Sequence, residues 1–591
     1  MKYLTLTLMI LIALMTPQAV ISDDTILVDE YDLDLRVDVE NNVIYGTEEV
    51  IYHNKGSTDL DEIYFYIYAN AFNDISSVPV DDIETTYPNG FDPGFIDIEV
   101  SKYDYVVEDD IYLKILLDEP LKSGDSITLY LDFEMKVPNT LNRFGYYEDV
   151  IYAANCFPIA AVNENGTWAL YPYDSRGDPF YSESANWDVD INIRKEWNIA
   201  TSGTIVMKYD NGEYYEYEIE APMTRDFAFA CSPRYKSVSE YYNDIEVISY
   251  YLEGHQQGGN LALDYAIESI QLFEELFGAY PYDTYTLAET YLGVGAGMEY
   301  PQLSFIDSDY YDRYDDTLFQ VIVVHETAHQ WWYSAVGNDE YMDSFIDESL
   351  AQYSTTIYFR ELYEDEGDVY YDDFIFDYYR DDVPLMTNIL DLPLDEYVSD
   401  LEYYMMVYIK GAVVLDMMST YVGYDEFTGF LSGLYEKYLY GIITKDIIIN
   451  ELEEEFPNSN AGDVFDIFVS TDQMPDALPG GSFYYEDGEY DIKVDYSNEL
   501  EIPVEIMIIY EDGTSELIGP VTMYSGKNGG TISSFEIDPR DLLVESNEVN
   551  NIGTLEFKEE EDINKTNYAY YVIAAIVVVV VAIYLYKKRY E

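Results

Sequence analysis

The chain has 591 residues, and its 116 acidic against 29 basic residues give a formal net charge of −87. Self-repulsion on that scale destabilises a compact fold in dilute buffer and fades at about 1 M salt, where the Debye length is about 3 Å, so the acidity reads as adaptation to a hypersaline medium, with calcium binding or plain solvation as the alternatives. Basic stripes are lacking, which excludes nucleic acid as a partner; 48% hydrophobic residues with the acids dispersed among them exclude a disordered tail, and the length calls for several domains.

Residues 1–22 combine Lys2, an apolar run from Leu4 to Met15 and small residues at Ala19 and Ser22. This predicts a secretory signal peptide, with an uncleaved anchor as the alternative. From 23 to 238 the pattern is β. Tyr31-Asp32-Leu33-Asp34-Leu35-Arg36-Val37 alternates with period two, Ile63 to Tyr68 is a β-forming run, and Asn211-Gly212 marks a hairpin. Cys156 and Cys231 are the only cysteines, and they either pair or stay as buried thiols. Asn165 and Asn564 each open a glycosylation sequon.

Past residue 239 the spacing turns helical over Leu261 to Phe277, then β at Tyr285 to Ala288. Gly293 to Tyr300 follows, with glycines at 293, 295 and 297. They allow close backbone approach, and an exposed edge at Ala296, Gly297 and Met298 can hold an extended peptide by strand addition; an ordinary glycine-rich turn is the alternative.

Next comes Val324-His325-Glu326-Thr327-Ala328-His329, an H-E-x-x-H pattern that uses two of only four histidines. On a helix, positions i and i+4 share a face about 6 Å apart, so both imidazoles reach one zinc ion with Glu326 beside it. Asp315, Asp316 and Thr317 offer N-capping side chains and Gly337 a stop. The bland reading is a buried helix whose histidines merely share a face. Catalytic zinc needs a third protein ligand, and Glu348, after a gap of eighteen residues from His329, opens a second helical pattern through Leu350, Tyr353 and Ile357.

On these residues the chain resembles the aminopeptidase N and leukotriene hydrolase family of zinc metallopeptidases, the gluzincins. Its signature is H-E-x-x-H, an 18-residue gap and a Glu within an N-E-G-F-A-like string, here Asp347-Glu348-Ser349-Leu350-Ala351. Ala296-Gly297-Met298-Glu299-Tyr300 is similar to the family's G-A-M-E-N string, and Val407-Tyr408-Ile409-Lys410-Gly411-Ala412 to its Y-x-K-G-A string. The resemblance implies that His325, His329 and Glu348 bind Zn2+, that Glu326 is the general base and that Tyr408 donates to the oxyanion, with Tyr403 and Tyr404 as substitutes. It implies further that Glu299 binds the substrate amine, that Ala296, Gly297 and Met298 hold the substrate backbone, and that the substrates are peptides with free N-termini.

After a helix-rich stretch to about 470, strand patterns recur at Tyr490 to Val494, Val504 to Ile509 and Thr531 to Phe535, with a turn at Glu511-Asp512-Gly513. Residues 568–586 are almost wholly apolar and span about 28 Å as a helix; Lys587, Lys588 and Arg589 belong on the inner side of the membrane. The fold expected is multidomain α+β. It comprises a signal peptide (1–22), an N-terminal β domain (23–238), a thermolysin-like zinc peptidase domain with a helical extension (239–470), a C-terminal β-sandwich (476–563), one transmembrane helix (568–586) and a cytoplasmic tail (587–591). The function expected is extracellular, membrane-anchored aminopeptidase; an endopeptidase on the same fold and an inactive surface or adhesion scaffold are the alternatives.

Overall fold

The computed structural model describes residues 27–558 except 81, 294, 315, 364, 372–373, 376–377, 380–385, 387–388, 473–476, 485–488, 497–501, 528–531, 540–551 and 554–555. The signal peptide, the Asn564 sequon, the apolar segment 568–586 and the tail 587–591 lie outside the described residues, as does the capping candidate Asp315. The chain divides into two units, 1–170 with 182–235, and 171–181 with 236–591.

The first unit is built on a seven-stranded sheet. Its strands are β1 (Asp29–Asp38), β2 (Val43–His53), β4 (Phe95–Val100), β5 (Ser126–Lys136), β6 (Ala185–Arg194), β7 (Thr204–Asn211) and β8 (Tyr214–Thr224), while β3 (Leu60–Tyr66) belongs to a separate four-stranded sheet. The order is β7-β8-β6-β1-β2-β5-β4. β1 alternates as its sequence predicts: Tyr31, Leu33, Leu35 and Val37 are buried while Asp32, Asp34 and Arg36 face water. Tyr31 stacks on Trp187 of β6 at 4.0 Å between ring centroids. β7 and β8 form the expected hairpin, but Asn211 pairs with Tyr214, so the turn is Gly212-Glu213, with Gly212 at φ 80°. Cys156 and Cys231 are both buried free thiols.

The second unit opens with a five-stranded sheet of β9 (Tyr235–Tyr242), β10 (Ile245–Leu252), β11 (Thr284–Thr290), β12 (Gly297–Met298) and β13 (Leu303–Asp307), ordered β9-β10-β11-β13-β12. β10 and β11 are parallel and joined through α1 (Gln256–Leu276), since parallel neighbours need a long crossover. β12 runs antiparallel to β13 and forms an edge, where strand addition requires it. Two helices follow, α2 (Thr317–Ala328) and α3 (Phe345–Tyr363), then a largely helical part ending at Ser470. Trp331, Trp332, Phe273 and Phe277 pack together beneath α2.

Asp316 caps α2 by accepting from Leu318 N–H, as anticipated, but the helix does not run on to Gly337. It ends at Ala328, with His329 as its C-cap, and Gly337 instead bridges Ile442. Beyond Ser470 the described strands make two four-stranded sheets, with Ile492, Val494, Ile506, Ile508, Phe535 and Ile537 buried. Among the described residues one segment is apolar and long enough to cross a membrane, Asp400–Val422. Most of it is buried inside the protein, which makes it a core helix.

Candidate metal centre and amine site

α2 supplies His325 and Glu326, its C-cap supplies His329, and the first turn of α3 supplies Glu348; all four are buried. The early end of α2 has a chemical consequence. By folding back after His329, the chain brings the Trp332 carbonyl to 2.9 Å from His329 Nδ1. That carbonyl only accepts, so Nδ1 carries a proton and Nε2 is left as the atom that faces Glu348. His325 Nε2 lies 3.0 Å and His329 Nε2 3.2 Å from Glu348 Oε2, and the two Nε2 atoms are 3.1 Å apart.

Three donor atoms with mutual spacings of 3.0 to 3.2 Å fit one small ion. Tetrahedral zinc with bonds of about 2.0 to 2.1 Å places its ligand atoms about 3.3 Å apart, so binding needs only a slight opening of the triangle. Burial lowers the His325 pKa, which favours the neutral, ligating imidazole. For Glu348 burial works upward, but the two imidazoles outweigh it and hold the carboxyl well below the usual carboxylate range.

Glu326 reaches the same space past β12, because a Cβ at Gly297 would overlap its carboxylate. Burial, with Glu348 and Asp178 adding and His329 opposing, pushes its carboxyl up to about 8. A bound dication would draw it down toward the range of a general base near neutral pH. Tyr408 donates its hydroxyl to Glu348 Oε1, and its ring stacks on His325 at 5.6 Å and on Tyr404 at 5.3 Å. Tyr403 stands edge-on to it at 6.1 Å. Of the three candidate tyrosines, Tyr408 is the one that touches a ligand residue.

Glu299 is buried, and its carboxyl is raised well above its ordinary value by burial first and Asp178 next. One oxygen each from Asp178, Glu299 and Glu348 lie within 4.8 Å of one another. Three carboxylates this close are a setting that a cation would stabilise. Glu348 is common to both groups, so the carboxylate cluster adjoins the metal-ligand triangle. Ala296, Gly297 and Met298 are half-buried along β12, beside this site. Tyr300 is buried edge-on to Phe305 at 5.0 Å, and its carbonyl accepts from Gln330 Nε2.

Sequence reasoning missed Asp178 and Glu340. Asp178 lies in the 171–181 stretch, held within the second unit by Tyr171, which donates to Asp339 and stacks on Tyr341 at 4.5 Å, and by Arg176, which donates to the Tyr397 carbonyl. Glu340 is buried with neither oxygen hydrogen-bonded, and burial followed by the Asp347 charge raises its carboxyl well above the usual range. Among 116 acids no local pattern marks either residue.

Fold and site together define a buried metal-ligand triangle on a helix pair, beside a cluster of buried carboxylates. Residues 261–469 match the Peptidase family M1 domain. The chain is 20% identical over 293 residues to probable aminopeptidase 1 of Sulfurisphaera tokodaii, and 24% identical over 292 residues to tricorn protease-interacting factor F2 of Thermoplasma volcanium. Each match covers 46% of this chain and 36% of the relative, so the chain spans about a third of the length of these curated relatives. In fold it is similar to Legionella pneumophila aminopeptidase A, crystallised with aspartic acid, at a TM-score of 0.63 and 12% identity over 92% of this chain and 61% of that one. A Deinococcus radiodurans M1 zinc metallopeptidase bound to a Tyr-Ser-Ala peptide gives a TM-score of 0.55 at 14% identity, over 76% of this chain and 95% of that one.

Proposed function

We propose that this protein is a zinc aminopeptidase that removes N-terminal residues from peptides, working outside the cell in a hypersaline medium. The reading is carried by one observation, that Glu348 belongs both to the metal triangle and to a buried three-carboxylate cluster with Asp178 and Glu299. A free amine held there sets the first peptide bond, and no later one, beside the metal. Zinc on His325, His329 and Glu348 supplies a Lewis acid that polarises the scissile carbonyl and lowers the pKa of water. Glu326 takes the proton from the attacking water and hands it to the leaving amine. Tyr408 donates to the oxyanion as it develops. Ala296, Gly297 and Met298 pair with the substrate backbone along the free edge of β12.

Residues 239–470 act as a thermolysin-like catalytic domain with its helical extension, joined by the 171–181 stretch. The two C-terminal sheets form a β-sandwich, which the burial of both sets of inward residues supports. The apolar run 568–586 with its basic flank supports a single-pass anchor that leaves the catalytic part outside. The net charge of −87 supports the saline setting.

The test compares aminoacyl anilides with their N-acetylated forms in about 2 M salt, for wild type and Glu299→Ala. A charge-assisted bond of about 1.5 to 3 kcal/mol corresponds to a preference of about 10-fold to 150-fold for the free amine, lost in the variant. Equal cleavage of the acetylated substrates by wild type would replace this reading with an endopeptidase.

A further inference from the structure

Tyr408 lies on a π-helical turn, Met405–Lys410, between the α-helical turns Asp400–Tyr404 and α4 (Gly411–Val422). Gly411 N–H is shared between Met406 O, five residues earlier, and Tyr408 O, three residues earlier, and not with Val407 O, four residues earlier. Such a turn inserts one residue into the hydrogen-bond ladder and leaves a carbonyl over. In a buried helix that carbonyl is costly unless another donor meets it. The Ser349 hydroxyl donates to Val407 O at 2.7 Å, and both residues are buried.

Two further facts make this contact specific. A Cβ at Gly411 would overlap Ser349 Oγ, so the absence of a side chain at 411 is what admits the hydroxyl. Ser349 also directly follows Glu348, whose other side receives the Tyr408 hydroxyl. The first turn of α3 therefore grips the π turn twice, from the metal side through Glu348 and from behind through Ser349.

We propose that Ser349 is a positioning residue for Tyr408: by donating to Val407 O it holds the π-helical register that brings the tyrosine hydroxyl to Glu348 and the metal. The inference rests on the reading of Tyr408 as oxyanion donor. Without the hydroxyl the ladder returns to four-residue spacing, and loss of the inserted residue turns Tyr408 by about 100° around the helix axis.

The experiment has two readouts on Ser349→Ala, with Ser349→Gly as a second variant that leaves the space open should the first misfold. In the crystal structure of the variant, Gly411 N–H bonds to Val407 O and Tyr408 has left Glu348. In high-salt assays on a free-amine aminoacyl anilide, kcat falls about 10-fold to 100-fold with KM little changed and zinc content retained. Added to Tyr408→Phe, the same change lowers kcat no further. A variant crystal that keeps the π turn, or an equal loss in the presence and absence of the tyrosine hydroxyl, overturns the proposal. Should wild type cleave no free-amine substrate, the functional reading fails, and the crystal structure still decides the role of Ser349.

Discussion

Along most of β1 in the first unit the acids alternate outward, with Asp29 at its start the buried exception, whereas around the candidate metal centre of the second they are shut in. β1 sends Asp32 and Asp34 to water at every second position. At the centre Asp178, Glu299, Glu326, Glu340, Asp347 and Glu348 are all buried. An outward acid costs little beyond repulsion from its neighbours, which salt screens; a buried one costs desolvation, which salt does not relieve. The same residue types thus stand in two settings, open to water and enclosed in a buried cluster. Local alternation dictates the first, and only convergence of distant segments creates the second.

The largest expected effect breaks the outer half of the comparison. Dialysis of the full chain from about 2 M to about 0.05 M salt lengthens the Debye length severalfold, and ellipticity and activity are expected to collapse together. Far-ultraviolet circular dichroism across the salt series checks this, and a fold equally stable at both ends removes the saline reading.

The inner half is broken at the ligands. His325→Ala and His329→Ala are expected to lose zinc and all turnover, while Glu326→Ala keeps zinc and loses about 10²-fold to 10⁴-fold in kcat, because the base is not a ligand. Metal content and turnover measured on the same samples separate the two outcomes. Tyr408→Phe is expected to cost about 10²-fold to 10³-fold in kcat with zinc retained and KM nearly unchanged, the signature of a contact made only in the transition state. A rise in KM alone would assign Tyr408 to substrate binding.

The smallest effect sharpens the comparison, because the first unit has buried acids of its own. Asp226 is buried and accepts from Asn155 Nδ2 at 2.7 Å, and burial pushes its carboxyl up to about 7. The unfolded chain releases this proton at about 3.9, so between about pH 4 and pH 7 the folded state binds more protons than the unfolded one. Its contribution to stability is therefore full below about pH 4 and is lost as pH rises through about 7. Asp226→Asn is expected to flatten that slope, seen as denaturant midpoints at pH 5 and pH 7.5 that differ less than in wild type. An unchanged slope would assign the pH dependence to other buried carboxyls.

What the sequence determined by itself was local and periodic. Alternation placed β1 and the i, i+4 spacing put His325 and His329 on one face, because each depends on chain geometry over one or two elements, while the gap to Glu348 pointed to a third ligand through the family signature. The strings around Glu299 and Tyr408 were recognisable for their resemblance, which the physics of neither stretch alone would have supplied. The tertiary structure decided the rest. Asp178 joins Glu299 and Glu348 only because the 171–181 stretch belongs with the second unit. Gly337 reads as a helix stop in sequence, yet α2 ends earlier, where the Trp332 carbonyl meets His329 Nδ1 and fixes its proton. Ser349 looked like a departure from a motif until the π turn brought Val407 O to its hydroxyl. In each case the deciding quantity is which polar group meets which partner once water is excluded, and that depends on segments remote in sequence closing over one another.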